Sequence, residues 1–148
     1  MPRGPGVKIS YSITAEVGHR LFRLPEGHKC RRPHGHSYTI TLSCEDDELD
    51  EMGMVVDAQR LSACLTYVRA KIDHRMVLDP EDPWFGTLRA DRDKDIRDGA
   101  ITIGSHPTAE NIAKWVHRMA KEMKYQNQLP ESVSVTVRET SRIAACYP

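Results

Sequence analysis

Apolar residues recur at every second position in two stretches of this chain, and that period commits much of its first third to strands with one sheltered face. Val7, Ile9, Tyr11, Ile13 and Ala15 form the first stretch. Tyr38, Ile40, Leu42 and Cys44, set against Ser37, Thr39, Thr41 and Ser43, form the second. Successive side chains of a strand point to opposite faces, so each stretch predicts a half-buried strand. The two are expected to pair as antiparallel neighbours. Between them, Leu21 to Pro33 holds Pro25, Gly27, Pro33 and several basic residues and reads as a loop, while the Pro/Gly-rich residues 1–6 read as a loose lead.

Helical spacing takes over further along. Asp57 reads as an N-cap, followed by Ala58, Leu61, Leu65, Val68 and Ile72, so the pattern predicts an amphipathic helix over 58–72. A second helix starts near Thr108, with a buried stripe of Ile112, Val116, Met119, Ala120 and Met123. Val133, Val135 and Val137 alternate as a third strand, and Ile143 to Tyr147 makes a fourth. The element order is therefore ββααββ, an α+β arrangement. Asp79 to Gly104 is a polar excursion, with a short strand expected at Ala100–Ile103; a loop of that length in a compact domain is functional or mobile.

The 148 residues suit one domain, 1–148, with a full core. Lys+Arg 21 balances Asp+Glu 21, which argues against a nucleic-acid or membrane-surface protein. No stretch approaches the roughly 18 apolar residues that cross a bilayer. Cys30, Cys44, Cys64 and Cys146 form no CxxC pair, and Met1 to Gly6 carries no apolar run, so the expectation is reduced thiols in a cytoplasmic protein.

The residues that carry chemistry cluster around the loop. His34 and His36 are two apart, so on a strand both imidazoles aim at one place, with Gly35 removing a side chain where a metal or ligand comes close. His19 supplies a third imidazole. Three histidines with a fourth position open are the ligands of a catalytic zinc site. By parity His34 and His36 share the sheltered face with Tyr38 and Ile40, where unpaired polar groups are costly and a metal partner relieves them. Cys30, flanked by Lys29, Arg31 and Arg32 in a Pro-bounded loop, has the setting of a reactive thiol and not of a structural one. Asp73-His74 closes the first helix and is a plausible proton-transfer pair, although a helix C-terminus welcomes His for dipole reasons alone. Glu139 continues the Val133/Val135/Val137 stripe onto the sheltered side. Its partner is either an Arg or Lys of the protein or the guanidinium-like edge of a ligand. Pro107-Thr108-Ala109-Glu110-Asn111 is a helix start that also offers Thr108 and backbone N–H groups to a polar ligand.

Taken together, these residues resemble the 6-pyruvoyltetrahydropterin synthase / 6-carboxytetrahydropterin synthase (QueD) family. The resemblance runs from about Ile13 to Tyr147 and rests on six segments in order: His19-Arg20-Leu21, Cys30 with His34-Gly35-His36, Gly53-Met54-Val55-Val56-Asp57, Asp73-His74, Pro107-Thr108-Ala109-Glu110-Asn111, and Glu139-Thr140. It implies a T-fold: a four-stranded antiparallel sheet with two helices on one face, whose copies join into a barrel as trimers stacked into a homohexamer, with sites between subunits. It implies Zn2+ on His19, His34 and His36, and a proton-transfer set of Cys30, Asp73 and His74. It implies Glu139 as the anchor for the pterin 2-amino/N3 edge, supported by Thr108 and Glu110. The short Cys30-to-His34 spacing, preceded by Glu26-Gly27-His28-Lys29, looks like the bacterial carboxy-synthase branch. That branch implies conversion of 7,8-dihydroneopterin triphosphate to 6-carboxytetrahydropterin, with release of acetaldehyde and triphosphate, toward the 7-deazaguanine precursors of queuosine. The rivals are a pyruvoyl synthase on the same scaffold and a non-catalytic zinc- or pterin-binding module. Val17-Gly18, Ser37 and Ala58 depart from the family pattern without removing a ligand or proton-transfer residue.

Overall fold

In a computed structural model that describes residues 6–123 and 127–148, the alternating stretches become two long strands. The elements in chain order are β1 (Val7–His19), β2 (His34–Asp46), α1 (Ala58–Ile72), β3 (Arg75–Val77), α2 (Pro83–Arg89), α3 (Lys94–Gly99), β4 (Ala100–Ile101), α4 (Ala109–Glu122), β5 (Ser134–Arg138) and β6 (Ala144–Tyr147). Residues 1–5 of the expected loose lead lie outside the described residues.

β1 and β2 pair antiparallel throughout, from Val7 opposite Asp46 to His19 opposite His34. β5 joins the far edge of β2, and β6 joins β5, both antiparallel. That much matches the expected four strands. The sheet itself is larger and mixed: six strands in the order β4-β3-β1-β2-β5-β6. β3 runs parallel to the end of β1, pairing Val17–His19 with Arg75–Val77, and β4 runs parallel to β3. Strands of three and two residues are too short to show a period, and so the four-stranded expectation missed β3 and placed β4 only as a short strand at Ala100–Ile103.

Register puts the apolar positions on one face. Ile13 lies opposite Ile40, Ala15 opposite Tyr38, Ile40 opposite Val137 and Leu42 opposite Val135. α1 and α4 cover this face with Leu61, Leu65, Val68 and Ile72, and with Ile112, Ala113, Val116 and Ala120, all buried. Both helices start as expected. The Asp57 side chain accepts from Gln59 N, and Thr108 Oγ1 accepts from Asn111 N at 3.2 Å, each satisfying an otherwise orphaned N–H of the first turn. The opposite face is lined by hydroxyls that pair across strands: Ser10 with Ser43 at 2.8 Å, Ser12 with Thr41 at 2.7 Å, and Ser37 donating to Glu16 Oε2 at 2.7 Å. Among the described residues no helix is long and apolar enough to cross a membrane.

The 79–104 excursion is not an unstructured loop. It folds into α2 and α3, and buried carboxylates dock its start onto the chain just after His19. Asp82 accepts a two-pronged bond from Arg20 (2.7 and 2.6 Å), and Asp79 one from Arg23 (2.7 and 3.1 Å). Both aspartate side chains are fully shielded. Arg20 also lies under the Trp84 ring, 4.4 Å from its centroid. Removing one partner strands the other charge in low dielectric, so Arg20→Ala is expected to cost about 3–5 kcal/mol. Chemical denaturation checks this, and an unchanged midpoint would show that water reaches Asp82.

Candidate metal centre

The sheet brings together three imidazoles from the two strands that flank the loop. His19 is the last residue of β1 and His34 the first of β2, and the register sets them opposite one another. His36 follows on the same face. The ring centroids of His19–His34, His19–His36 and His34–His36 are 4.5, 5.1 and 5.0 Å apart, and one nitrogen from each ring lies within 4.8 Å of the others. His36 stacks edge-on against Tyr38 at 5.5 Å, as the parity argument required.

Second nitrogens fix the tautomers. His19 Nδ1 lies 2.8 Å from the Pro107 carbonyl, and His34 Nδ1 lies 2.6 Å from the Arg32 carbonyl. A carbonyl only accepts, so both Nδ1 atoms carry the hydrogen and both Nε2 atoms present lone pairs. Those two Nε2 atoms face each other at 3.0 Å. The third, His36 Nε2, is buried without a hydrogen-bond partner. Two opposed lone pairs and one orphaned ring nitrogen are costly alone and are relieved together by a divalent cation; the backbone carbonyls act as the outer shell that orients metal-binding imidazoles. Burial lowers His19 to about 4 and also lowers His36, keeping both neutral, the form that binds metal. The residues present therefore fit a metal ion.

A pH dependence follows for the metal-free chain. Unfolded His19 takes up its proton near 6.5, whereas the folded residue resists until about 4. Between those values the unfolded state binds more protons, so stability is whole above about pH 6.5 and falls as the solution is acidified. Urea midpoints at about pH 7 and about pH 5 measure this, and equal midpoints would contradict the buried neutral imidazole.

Gly35 has a different role from the expected one. Its missing Cβ faces away from the imidazoles, and a methyl group there would stand 3.3 Å from the Val17 carbonyl. Close approach of β1 and β2 is what calls for glycine.

Glu139, just after β5, reaches the same cluster. Oε1 lies 3.2 Å from His36 Nε2 and 3.4 Å from His19 Nε2, and it accepts a hydrogen bond from the Tyr38 hydroxyl at 3.0 Å. Its protein partner is thus a phenol, not the Arg or Lys weighed from sequence. Cys30 is half-buried on a single 3-10 turn (Lys29–Arg31) in the linking loop, with its carbonyl accepting from Leu21 N at 2.9 Å. Thr108 is occupied as the cap of α4, and Glu110 is exposed in its first turn.

Asp73 and His74 pair with each other and, among the described residues, make no hydrogen bond to the three imidazoles. Asp73 Oδ2 is 3.0 Å from His74 Nδ1, and Asp73 Oδ1 accepts from Glu16 N at 2.8 Å. That backbone bond holds the Asp73 carboxyl below its usual range. His74 has φ 55, a left-handed conformation rare for a residue with a side chain, and its N–H is bound to the Glu16 carbonyl. It lines a hollow with Glu16, Gly18, Gly35, His36 and Ser37.

Sequence reasoning missed the Tyr38–Glu139 bond, the Pro107 carbonyl, and the Arg20–Asp82 and Arg23–Asp79 pairs. Parity placed Tyr38 beside His36, but nothing along the chain joined it to Glu139, 101 residues away.

Fold and site define an α+β protein whose three clustered imidazoles are set to hold a divalent cation. The model of the 6-pyruvoyl tetrahydropterin synthase family matches residues 8–148, and the chain belongs to that family. It is 37% identical over 136 residues to a probable 6-carboxy-5,6,7,8-tetrahydropterin synthase of Halobacterium salinarum, covering 90% of this chain and 81% of the relative. It is 29% identical to the 6-carboxy-5,6,7,8-tetrahydropterin synthase of Aquifex aeolicus, covering 95% and 96%. Among solved structures, an uncharacterised protein of Wolinella succinogenes superposes with a TM-score of 0.80 at 21% identity over 97% of this chain and 98% of that one. The 6-pyruvoyl tetrahydropterin synthase of Plasmodium falciparum does so with 0.74 at 16%, over the same shares. At these identities the two structures speak for the fold.

Proposed function

We propose that this chain is a zinc-dependent 6-carboxy-5,6,7,8-tetrahydropterin synthase, taking 7,8-dihydroneopterin triphosphate to 6-carboxytetrahydropterin with release of acetaldehyde and triphosphate, on the route to 7-deazaguanines. One observation carries the reading: three imidazoles converge beside the half-buried carboxylate of Glu139, in a chain whose curated relatives bear that name.

His19, His34 and His36 hold the zinc, and the bound ion supplies Lewis-acid polarisation of oxygen groups on the substrate side chain. Glu139 accepts from the 2-amino and N3 donors of the pterin, and its place at the cluster's rim sets the ring against the metal. Thr108 and Glu110 support that edge from the start of α4. Cys30, on the turn between the ligand strands, takes a proton from the substrate. Asp73, held as a carboxylate, orients His74, which passes protons onward. Lys29 and Arg32 are exposed beside Cys30 and meet the triphosphate; Arg31 is partly committed, its Nε donating to the Phe22 carbonyl at 3.0 Å.

The lack of a hydrogen bond between the Asp73–His74 pair and the imidazoles within one chain supports a site assembled between copies. So do the sheet edges: β3 covers only the Val17–His19 end of β1, and β6 pairs on one side only, so β1 and β6 offer edges without a partner among the described residues. We read these as the joints of a barrel-forming homohexamer.

The test is to incubate zinc-loaded protein with 7,8-dihydroneopterin triphosphate, trap acetaldehyde and identify the pterin by mass. Carboxytetrahydropterin with stoichiometric acetaldehyde is expected. A pyruvoyl product without acetaldehyde would assign the chain to the pyruvoyl synthases, and binding without turnover would leave a non-catalytic module.

A further inference from the structure

Among the described residues, one side chain donates a hydrogen bond to Glu139, and we propose that this residue, Tyr38, is a positioning residue that commits one oxygen of the carboxylate and leaves the other for the ligand. The inference rests on the reading of Glu139 as the pterin anchor and deepens it.

Tyr38 is 1% exposed. Across the strand pair it faces Ala15, whose short side chain leaves room for the ring. Its hydroxyl lies 3.0 Å from Glu139 Oε1 and 3.4 Å from His19 Nδ1. The His19 Nδ1 hydrogen is already given to the Pro107 carbonyl, so that nitrogen has no lone pair to offer, and the phenolic hydrogen goes to the carboxylate. The two imidazole nitrogens near Oε1 cannot replace it. His19 Nε2 presents a lone pair, and His36 Nε2, though 3.2 Å away, makes no hydrogen bond. Without this bond the carboxylate would face lone pairs and swing away. With it, Oε1 stays on the imidazole side, and Oε2 is free to meet the ring donors of the ligand.

The probe is unsubstituted pterin, which has the 2-amino/N3 edge but neither side chain nor phosphates, titrated by fluorescence into the zinc-loaded parent chain, Tyr38→Phe and Glu139→Gln. Phe fills the same buried space, and thermal midpoint and zinc affinity are measured alongside. A lost hydrogen bond to a charged group predicts pterin binding weakened roughly ten- to a hundredfold in Tyr38→Phe. KM for the triphosphate substrate should rise more than kcat falls, with zinc affinity unchanged. If Tyr38→Phe binds pterin within about twofold of the parent while Glu139→Gln has lost it, the positioning role is wrong and the anchor reading stands. If Tyr38→Phe loses zinc, the phenol supports the metal shell instead, and the proposal falls. If the parent does not bind pterin, or Glu139→Gln binds it equally well, the anchor reading fails and takes the proposal with it.

Discussion

His34→Ala is expected to lower divalent-metal affinity at least a hundredfold, since it removes one of three ligands and opens the set to water. Among the three, His34 is the informative choice. His19 is fully buried, and truncating it would leave a hole beside Pro107 and Tyr38. His34 is half-exposed at the start of β2, so its loss tests coordination with little effect on the core. Competition against a chromogenic chelator measures the affinity, and denaturation of the metal-free protein checks the fold. The metal-free variant should be no less stable than the metal-free parent, because the lone-pair repulsion between His19 and His34 at 3.0 Å disappears with the ring. Retention of parental zinc affinity would mean that the three imidazoles are not the ligand set.

Cys30→Ala is expected to lower kcat roughly 10²- to 10⁴-fold, the range for loss of a positioned proton-transfer group, with zinc content unchanged. Cys30 is half-buried on an exposed turn, and its backbone contact to Leu21 survives the substitution, so the fold should not respond. Steady-state turnover of 7,8-dihydroneopterin triphosphate gives the answer. A kcat within about threefold of the parent would remove the thiol from the chemistry and place proton transfer on His74 alone.

Much of the fold was legible because it is written in short-range periods. Alternation over 7–15 and 37–44 gave β1 and β2, and with them the face on which His34, His36, Tyr38 and Ile40 lie together. Helical spacing after Asp57 and Thr108 gave α1 and α4 with their caps. β3 and β4 escaped because they exist only where β1 is present to pair with them. The two helices of the excursion escaped as well. Pro83, Gly86 and Gly99 break any pattern, and its docking depends on Asp79 and Asp82 meeting Arg23 and Arg20 across about 60 residues of chain, a distance in sequence that no local signal spans.

The sequence by itself determined the three-imidazole cluster: two histidines two apart on a strand share a face by the geometry of the backbone, and a third at the end of the preceding strand falls opposite them once the pair is antiparallel. Only the tertiary structure decided the state of those rings. Which nitrogen carries each hydrogen is set by the Pro107 and Arg32 carbonyls, and the direction of the Glu139 carboxylate is set by a phenol 101 residues away. The face to which Asp73 and His74 belong is set by the left-handed turn after α1 that clamps them to Glu16. Periodicity fixes which way a side chain points. Hydrogen-bond partners, and so protonation and charge, come from groups that folding brings within 3 Å or so, and those contacts have no period to read.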